Sequence, residues 1–367
     1  MINILTRKRN SNIELLRIIS MLLIVSHHFS VHGDFDSLDS ITMFNKVWLQ
    51  FIQLGGKIGV NIFVIISGYF LIQSSKNKLS KVLKLWVQLL FYSFIIYLIF
   101  VIVGDATISI KELIKNIFPV IFTKWWFAST YFILYLLTPY LNKLLTSFSK
   151  NEYQNFLMLL TFLWCIIPTF TTNLFQSNPL IWFVYLYALA GYIRLYGLFD
   201  NIKAKTCILI AIVIYILTFL SAVIFDILGL KVNFFLEHAT YFFEMQKLPI
   251  LIISILLFLG FLKIDIGSNR VINIVASATF GVYLIHDNNY VRVFLWENLF
   301  KNASFARSDY LILYSILVII LVYIVCTLIE LMRIYLIEKR YMPWLTRISE
   351  KLENKLKKLQ DSICRLM

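Results

Sequence analysis

Runs of about twenty apolar residues recur along the whole chain, and this recurrence constrains the fold more than any other feature, because that length crosses a bilayer as a helix. Of the 367 residues 60% are apolar and only 15% charged. An ordinary soluble domain is nearer one half apolar and about one quarter charged. The sequence therefore predicts an all-α, polytopic membrane helix bundle. Ten spans are expected, at about 11–32, 51–72, 82–103, 126–146, 155–170, 180–196, 206–226, 246–262, 271–287 and 309–336. Two of them, 155–170 and 246–262, are short for a span, and 113–122 reads as a re-entrant or interfacial piece. This gives a membrane domain over residues 1–337 and a basic amphipathic cytoplasmic tail over 338–367. In the tail Leu345, Ile348, Leu352, Leu356, Leu359 and Ile363 recur at helical spacing among lysines and arginines, as expected of a helix on the inner membrane surface or of a short coiled coil.

The net charge of +14 would suit nucleic acid in a soluble protein. In a membrane chain it is the cytoplasmic excess of basic residues, and no soluble region is large enough to bind nucleic acid. Placing the N-terminus inside puts 23 of the 34 lysines and arginines on the cytoplasmic side, including Arg7, Lys8, Arg9, Lys76, Lys78, Lys81 and Lys84. Both termini are then cytoplasmic and the protein sits in the cell (plasma) membrane. The loop 32–40 is outside and acidic. Cys165, Cys207, Cys326 and Cys364 have neither disulfide nor zinc spacing. The first apolar run is long and lacks a small-residue cleavage site, so an uncleaved first helix is expected.

Three ionisable residues break the first span. Arg17 and His28 are eleven positions apart, which places them on one helix face roughly 16 Å from each other. Glu14, three residues before Arg17, can pair with it. Charge at membrane depth is a functional candidate by default. An imidazole can take a proton from a hydroxyl nucleophile, and a guanidinium can hold carboxylate or phosphate. A polar helix-packing network is the competing explanation. His27 is about 100° from His28, so the two are not expected to face one site. His28 and His32 are four apart and share a face, but no carboxylate or cysteine lies at ligand spacing within the helix, so no metal is expected.

Other candidates are more ambiguous. Ser67 and Gly68 suit close helix contact better than catalysis. Trp126, Phe127 and Tyr131 open the fourth span, either as an interfacial aromatic belt or as a platform for sugar stacking. His286 and Asp287 close the ninth span on the same side as His28, as a site element or as a polar cap. Glu237 and His238 read as solvated loop residues. Glu330 and Arg333 read as an ion pair three residues apart.

In order along the chain, these features resemble the integral-membrane acyltransferase-3 family. They are Glu14, Arg17 and His28 on the first helix, the segment GVNIFVIISGYF at 59–70, Trp126 and Phe127 with Tyr131 at the head of a later span, and FGVYLIH at 280–286. The resemblance covers residues 10–335 and includes ten spans. The close of the chain is similar to that of members that modify cell-surface polysaccharides.

The resemblance implies transfer of an acyl group, commonly acetyl, from cytoplasmic acetyl-CoA (acyl-CoA) to a hydroxyl of an extracytoplasmic polysaccharide or lipid-linked glycan. His28 would be the base or acyl carrier, Arg17 would organise the site or contact the donor, and Glu14 would orient Arg17. Trp126, Tyr131 and His286 would meet the acceptor. Arg17, Lys81 and Lys84 would meet the donor, although relatives often carry arginine pairs where this loop has lysines. With only a tail after the last span, acceptor modification would occur at the membrane domain or with a partner. Membrane lipid is an expected partner, and association into a homodimer is left open. Two alternatives to the enzyme remain, a glycan-intermediate transporter or flippase and a membrane scaffold.

Overall fold

The structure is a computed structural model that describes residues 11–35, 43–74 and 78–366. Arg7, Lys8, Arg9, Lys76 and positions 36–40 lie outside the described residues, as do the side chains of Leu356, Leu359 and Ile363.

Each expected span is a helix: α1 (Ser11–Val31), α2 (Met43–Leu71) and α3 (Leu79–Val103), then, beyond a short α4 (Ile110–Ile117), α5 (Trp126–Ser147). There follow α6 (Lys150–Phe170), α7 (Pro179–Tyr196), α8 (Ala204–Gly229), α9 (Leu248–Lys263), α10 (Arg270–His286) and α11 (Leu311–Arg333), and the tail is α12 (Lys339–Leu366). No strand occurs among the described residues. Eight of the described helical stretches are long and apolar enough to cross a membrane. The two expected spans outside that set are α5, whose last turns carry Thr138, Pro139, Asn142 and Lys143, and α10, which has 17 residues. The piece expected at 113–122 contains only the short α4.

α1 runs through the middle of the bundle and packs against α2, α9, α10 and α11. α2 approaches α1 closely because glycines face it. A Cβ at Gly59 would lie 2.5 Å from the Ser20 carbonyl oxygen, and one at Gly56 would lie 2.3 Å from Cγ of His27. Small residues let helices approach where lipid supplies no hydrophobic drive. By contrast α8 is outermost, with only 17% of its apolar window buried. Leu209, Ile216 and Leu217 on its surface are exposed, as suits a face turned to lipid.

Side chains that cannot reach water hold the helices together. Asn61 of α2 donates to the Met245 carbonyl at 2.9 Å and accepts from Trp182 Nε1 of α7 at 2.9 Å. Asn142 donates to the carbonyls of Leu71 and Ser74 at 2.8 Å each. Ser67 bonds the Tyr131 hydroxyl at 3.1 Å, and Gly68 packs on Ala190, so this pair serves helix contact as expected.

Glu330 and Arg333 form more than the expected local pair. Arg333 Nε donates to Glu330 at 2.7 Å and Nη2 to Glu338 at 2.6 Å, while Gln88 of α3 donates to Glu330 at 2.9 Å. The Tyr92 hydroxyl also donates to Glu330. Lys84 pairs with Glu338 at 2.5 Å. The network thus ties α3 to α11 and to the start of α12. α12 begins at Lys339, where the tail is expected to start, and carries Pro343 inside it. Farther along, Glu353 accepts from the Leu79 backbone N–H at 2.7 Å, capping α3.

Gly281 of α10 makes room for this network, since a Cβ there would sit 2.3 Å from Cδ of Glu330. Glu330→Ala leaves Arg333 buried without its main partner and is expected to cost about 3–5 kcal/mol. Gly281→Ala is expected to destabilise in the same direction by displacing the carboxylate. Thermal denaturation of the detergent-solubilised protein checks both, and an unchanged midpoint would refute this role.

Candidate active site

The site lies at the end of the bundle where α1 finishes. His28, in the last turn of α1, is 8% exposed. His286, the last residue of α10, is fully buried behind it. The two rings meet with His28 Nδ1 2.9 Å from His286 Nε2. His286 Nδ1 is 2.6 Å from the Val282 carbonyl, which can only accept. A neutral His286 therefore donates from Nδ1 and accepts at Nε2, and His28 must donate to it from Nδ1. The lone pair of His28 is left on Nε2. A hydrogen bond on one ring nitrogen fixes which nitrogen is free to react.

Asp287 follows His286 and is 1% exposed. Its Oδ1 is 3.6 Å from His28 Nδ1 and 2.7 Å from Nη2 of Arg292. A carboxylate so placed stabilises positive charge on His28 after proton uptake, and Arg292 holds that carboxylate.

In front of His28 is a cavity of about 370 Å³. Its walls include His27, His32, Lys57, Trp126 and Arg292, with Glu244 at an exposed position. The Lys57 ammonium lies 5.4 Å over the Trp126 ring. His27 shares the cavity with His28, contrary to the expectation from helix angles. The cavity wraps around α1 instead of facing one side of it, and the His27 ring lies in the gap that Gly56 leaves, with Nδ1 2.7 Å from the Gln53 carbonyl oxygen.

The sequence candidates separate in space. Glu14 and Arg17 pair as expected, with Nη1 3.1 Å from Oε2, in the other half of α1. Glu14 is buried, the Arg17 side chain is 23% exposed, and neither lines the cavity. Trp126 lines it. Tyr131 lies outside its walls, bonded to Ser67, and His286 stands behind His28 without reaching the cavity. Neither of these two side chains lines the cavity, and the Tyr131 ring stacks on Phe127. Lys81 and Lys84 lie at the far end of the bundle, and Lys84 is engaged by Glu338.

A metal was not expected because α1 carries no carboxylate at ligand spacing. The tertiary fold supplies one, since ligand atoms of His28, His32 and Asp287 lie within 4.8 Å of one another. The donor types suit a divalent transition ion. Binding there would compete with Arg292 for Asp287 and with His286 for His28.

Residues 10–331 match the acyltransferase domain of the acyltransferase-3 family. The chain belongs to this family. The match covers α1 through most of α11, and so includes both histidines and the whole cavity wall. No curated protein and no solved structure gave a match.

Lys57 and Arg292 line this acyltransferase's cavity without having been candidates from the sequence, while His32, which shares a face with His28, and Asp287, a site element or a cap by sequence, line it too. Lys57 carried a usable signal, being a lysine inside an expected span. Arg292 did not, because its place depends on the turn after α10.

His286→Ala is expected to lower kcat by roughly 10–100-fold with little change in acceptor KM, since it positions His28 without touching substrate. His286→Gln, which keeps an acceptor near Nε2, should recover part of the loss and bring the pH profile back toward wild type. Steady-state kinetics across pH tests this. Equal losses in both variants with an unshifted profile would indicate a purely structural role.

Proposed function

We propose that this membrane acyltransferase moves an acyl group, most simply acetyl, from cytoplasmic acyl-CoA to a hydroxyl of an extracytoplasmic cell-surface polysaccharide or its lipid-linked precursor. The observation that carries the reading is the His28–His286 bond, which presents an oriented imidazole to a cavity with an aromatic wall. In this reading the histidine end faces outward, both termini are cytoplasmic and the membrane is the plasma membrane, in keeping with the distribution of lysine and arginine.

His28 Nε2 takes the proton of the acceptor hydroxyl as that oxygen attacks the acyl carbonyl carbon. The new C–O bond forms, the C–S bond breaks, and the CoA thiolate leaves and receives the proton. If His28 instead carries the acyl group, the same nitrogen is the nucleophile, since the other is committed to His286. Positive charge gathered on His28 is stabilised by Asp287. Trp126 gives an apolar face for a sugar ring, and the charged groups around it suit hydroxyls and acidic substituents.

On the opposite side, Arg17 and Lys81 are the groups assigned to the donor's phosphates. Lys84 is the weaker candidate because Glu338 already neutralises it. Arg17, braced by Glu14, stands between the donor side and the histidines along α1, which suits alignment of the thioester.

His28→Ala is expected to lower transfer by about 10²–10⁴-fold, as for loss of a general base. Arg17→Lys keeps the charge but loses the forked geometry, and should raise donor KM by about tenfold. Labelled acetyl-CoA in inverted vesicles, together with NMR of alkali-labile esters on surface glycan, measures both. Undiminished ester in His28→Ala cells, with normal amounts of protein in the membrane, would sink the assignment. Glycan movement without label transfer would favour a transporter.

A further inference from the structure

A second cavity adjoins the first. It encloses about 270 Å³ and is lined by Phe35, Lys46, Gln50, Gln53, Glu237 and Thr240. Gln53 also lines the His28 cavity, so one side chain forms the wall between the two. On α2 the residues Lys46, Gln50, Gln53 and Lys57 follow at steps of four, three and four. That spacing keeps them on one helix face over roughly 16 Å. A single polar stripe therefore runs from the second cavity into the first.

One member of the stripe has a single unpartnered atom. Gln50 is 5% exposed, and its Nε2 donates to Asp226 Oδ2 at 2.7 Å. This fixes the amide orientation, because the carboxylate can only accept. Its Oε1 is buried with no hydrogen-bond partner. A buried acceptor left open costs about 1–3 kcal/mol unless a donor reaches it. Lys46, held by Asp226 at 2.6 Å, keeps that corner rigid. Phe35 adds an aromatic surface beside these polar groups.

We propose that this second cavity is a carbohydrate subsite. It binds the sugar residue next to the one acylated, with a hydroxyl donating to Gln50 Oε1. The inference rests on the glycan reading above and sharpens it: the acceptor is a chain of at least two sugars, not a free monosaccharide. His28 and Trp126 select the reacting residue, and the stripe on α2 sets the direction of the chain across them.

The test uses the full chain in membrane vesicles with labelled acetyl-CoA. The acceptors are de-O-acetylated surface polysaccharide from the source cells and its acid-hydrolysis fragments of one, two and several residues. Wild type is expected to favour the two-residue and longer fragments over the monomer by about tenfold or more in kcat/KM, the worth of one or two hydrogen bonds. Thr240→Trp, which fills the second cavity, and Gln50→Leu, which removes the acceptor, should each bring that ratio close to one. Agreement of two variants on different elements guards against a local folding defect. A wild-type ratio near one, or a ratio that survives both variants, overturns the subsite while leaving the glycan reading in place. Donor consumption with no label on any fragment or on the intact polymer overturns the glycan reading and the subsite with it.

Discussion

The hydrogen bond between His28 and His286 is the contact on which the rest of this site depends. It joins α1 to α10 across more than 250 residues of sequence. Together with the Val282 carbonyl it sets the tautomer of both rings and leaves one nitrogen of His28 free. Two neutral imidazoles satisfy each other there at the cost of a single shared proton position, where an unpaired polar group in the bundle would be expensive. The carbonyl of Val282 starts this chain of bonds, so the backbone of α10 sets the chemistry of a side chain on α1.

Pairing of buried polar groups also explains the architecture around the site. α1 occupies the centre because Glu14, Arg17 and His28 all need neighbours there. Glycines on α2 allow the close approach that puts His27 and His28 at one cavity. Deeper in the bundle, Glu330 and Arg333 bind α3, α11 and α12 into a unit, and Gly281 gives the carboxylate its space. The candidate site and the ionic network thus share α10, with His286 against His28 and Gly281 against Glu330, little more than one turn apart.

Much of the fold could be read directly, because the length and polarity of each apolar run measure a bilayer. The ten stretches, the Glu14–Arg17 pair and the local Glu330–Arg333 pair follow from spacing along one helix. Angles along one helix are not a sufficient guide to the rest. His27 is about 100° of arc from His28, yet the cavity curves around α1 to take in both. His286 lies on the same side as His28, yet it stands behind that ring. α1 carries no carboxylate at ligand spacing, yet the end of α10 brings Asp287 beside His28 and His32.

The sequence by itself determined that this chain is a bundle of membrane helices, that its first helix carries buried charge, and which residues of that helix could react. Periodicity and hydrophobic length are local properties, and local properties suffice for those conclusions. Only the tertiary structure decided which groups share a cavity, which nitrogen of His28 is free, and that the polar stripe on α2 links a second cavity to the first. Those outcomes depend on which helix faces meet, and helices far apart in sequence meet only after the bundle has packed.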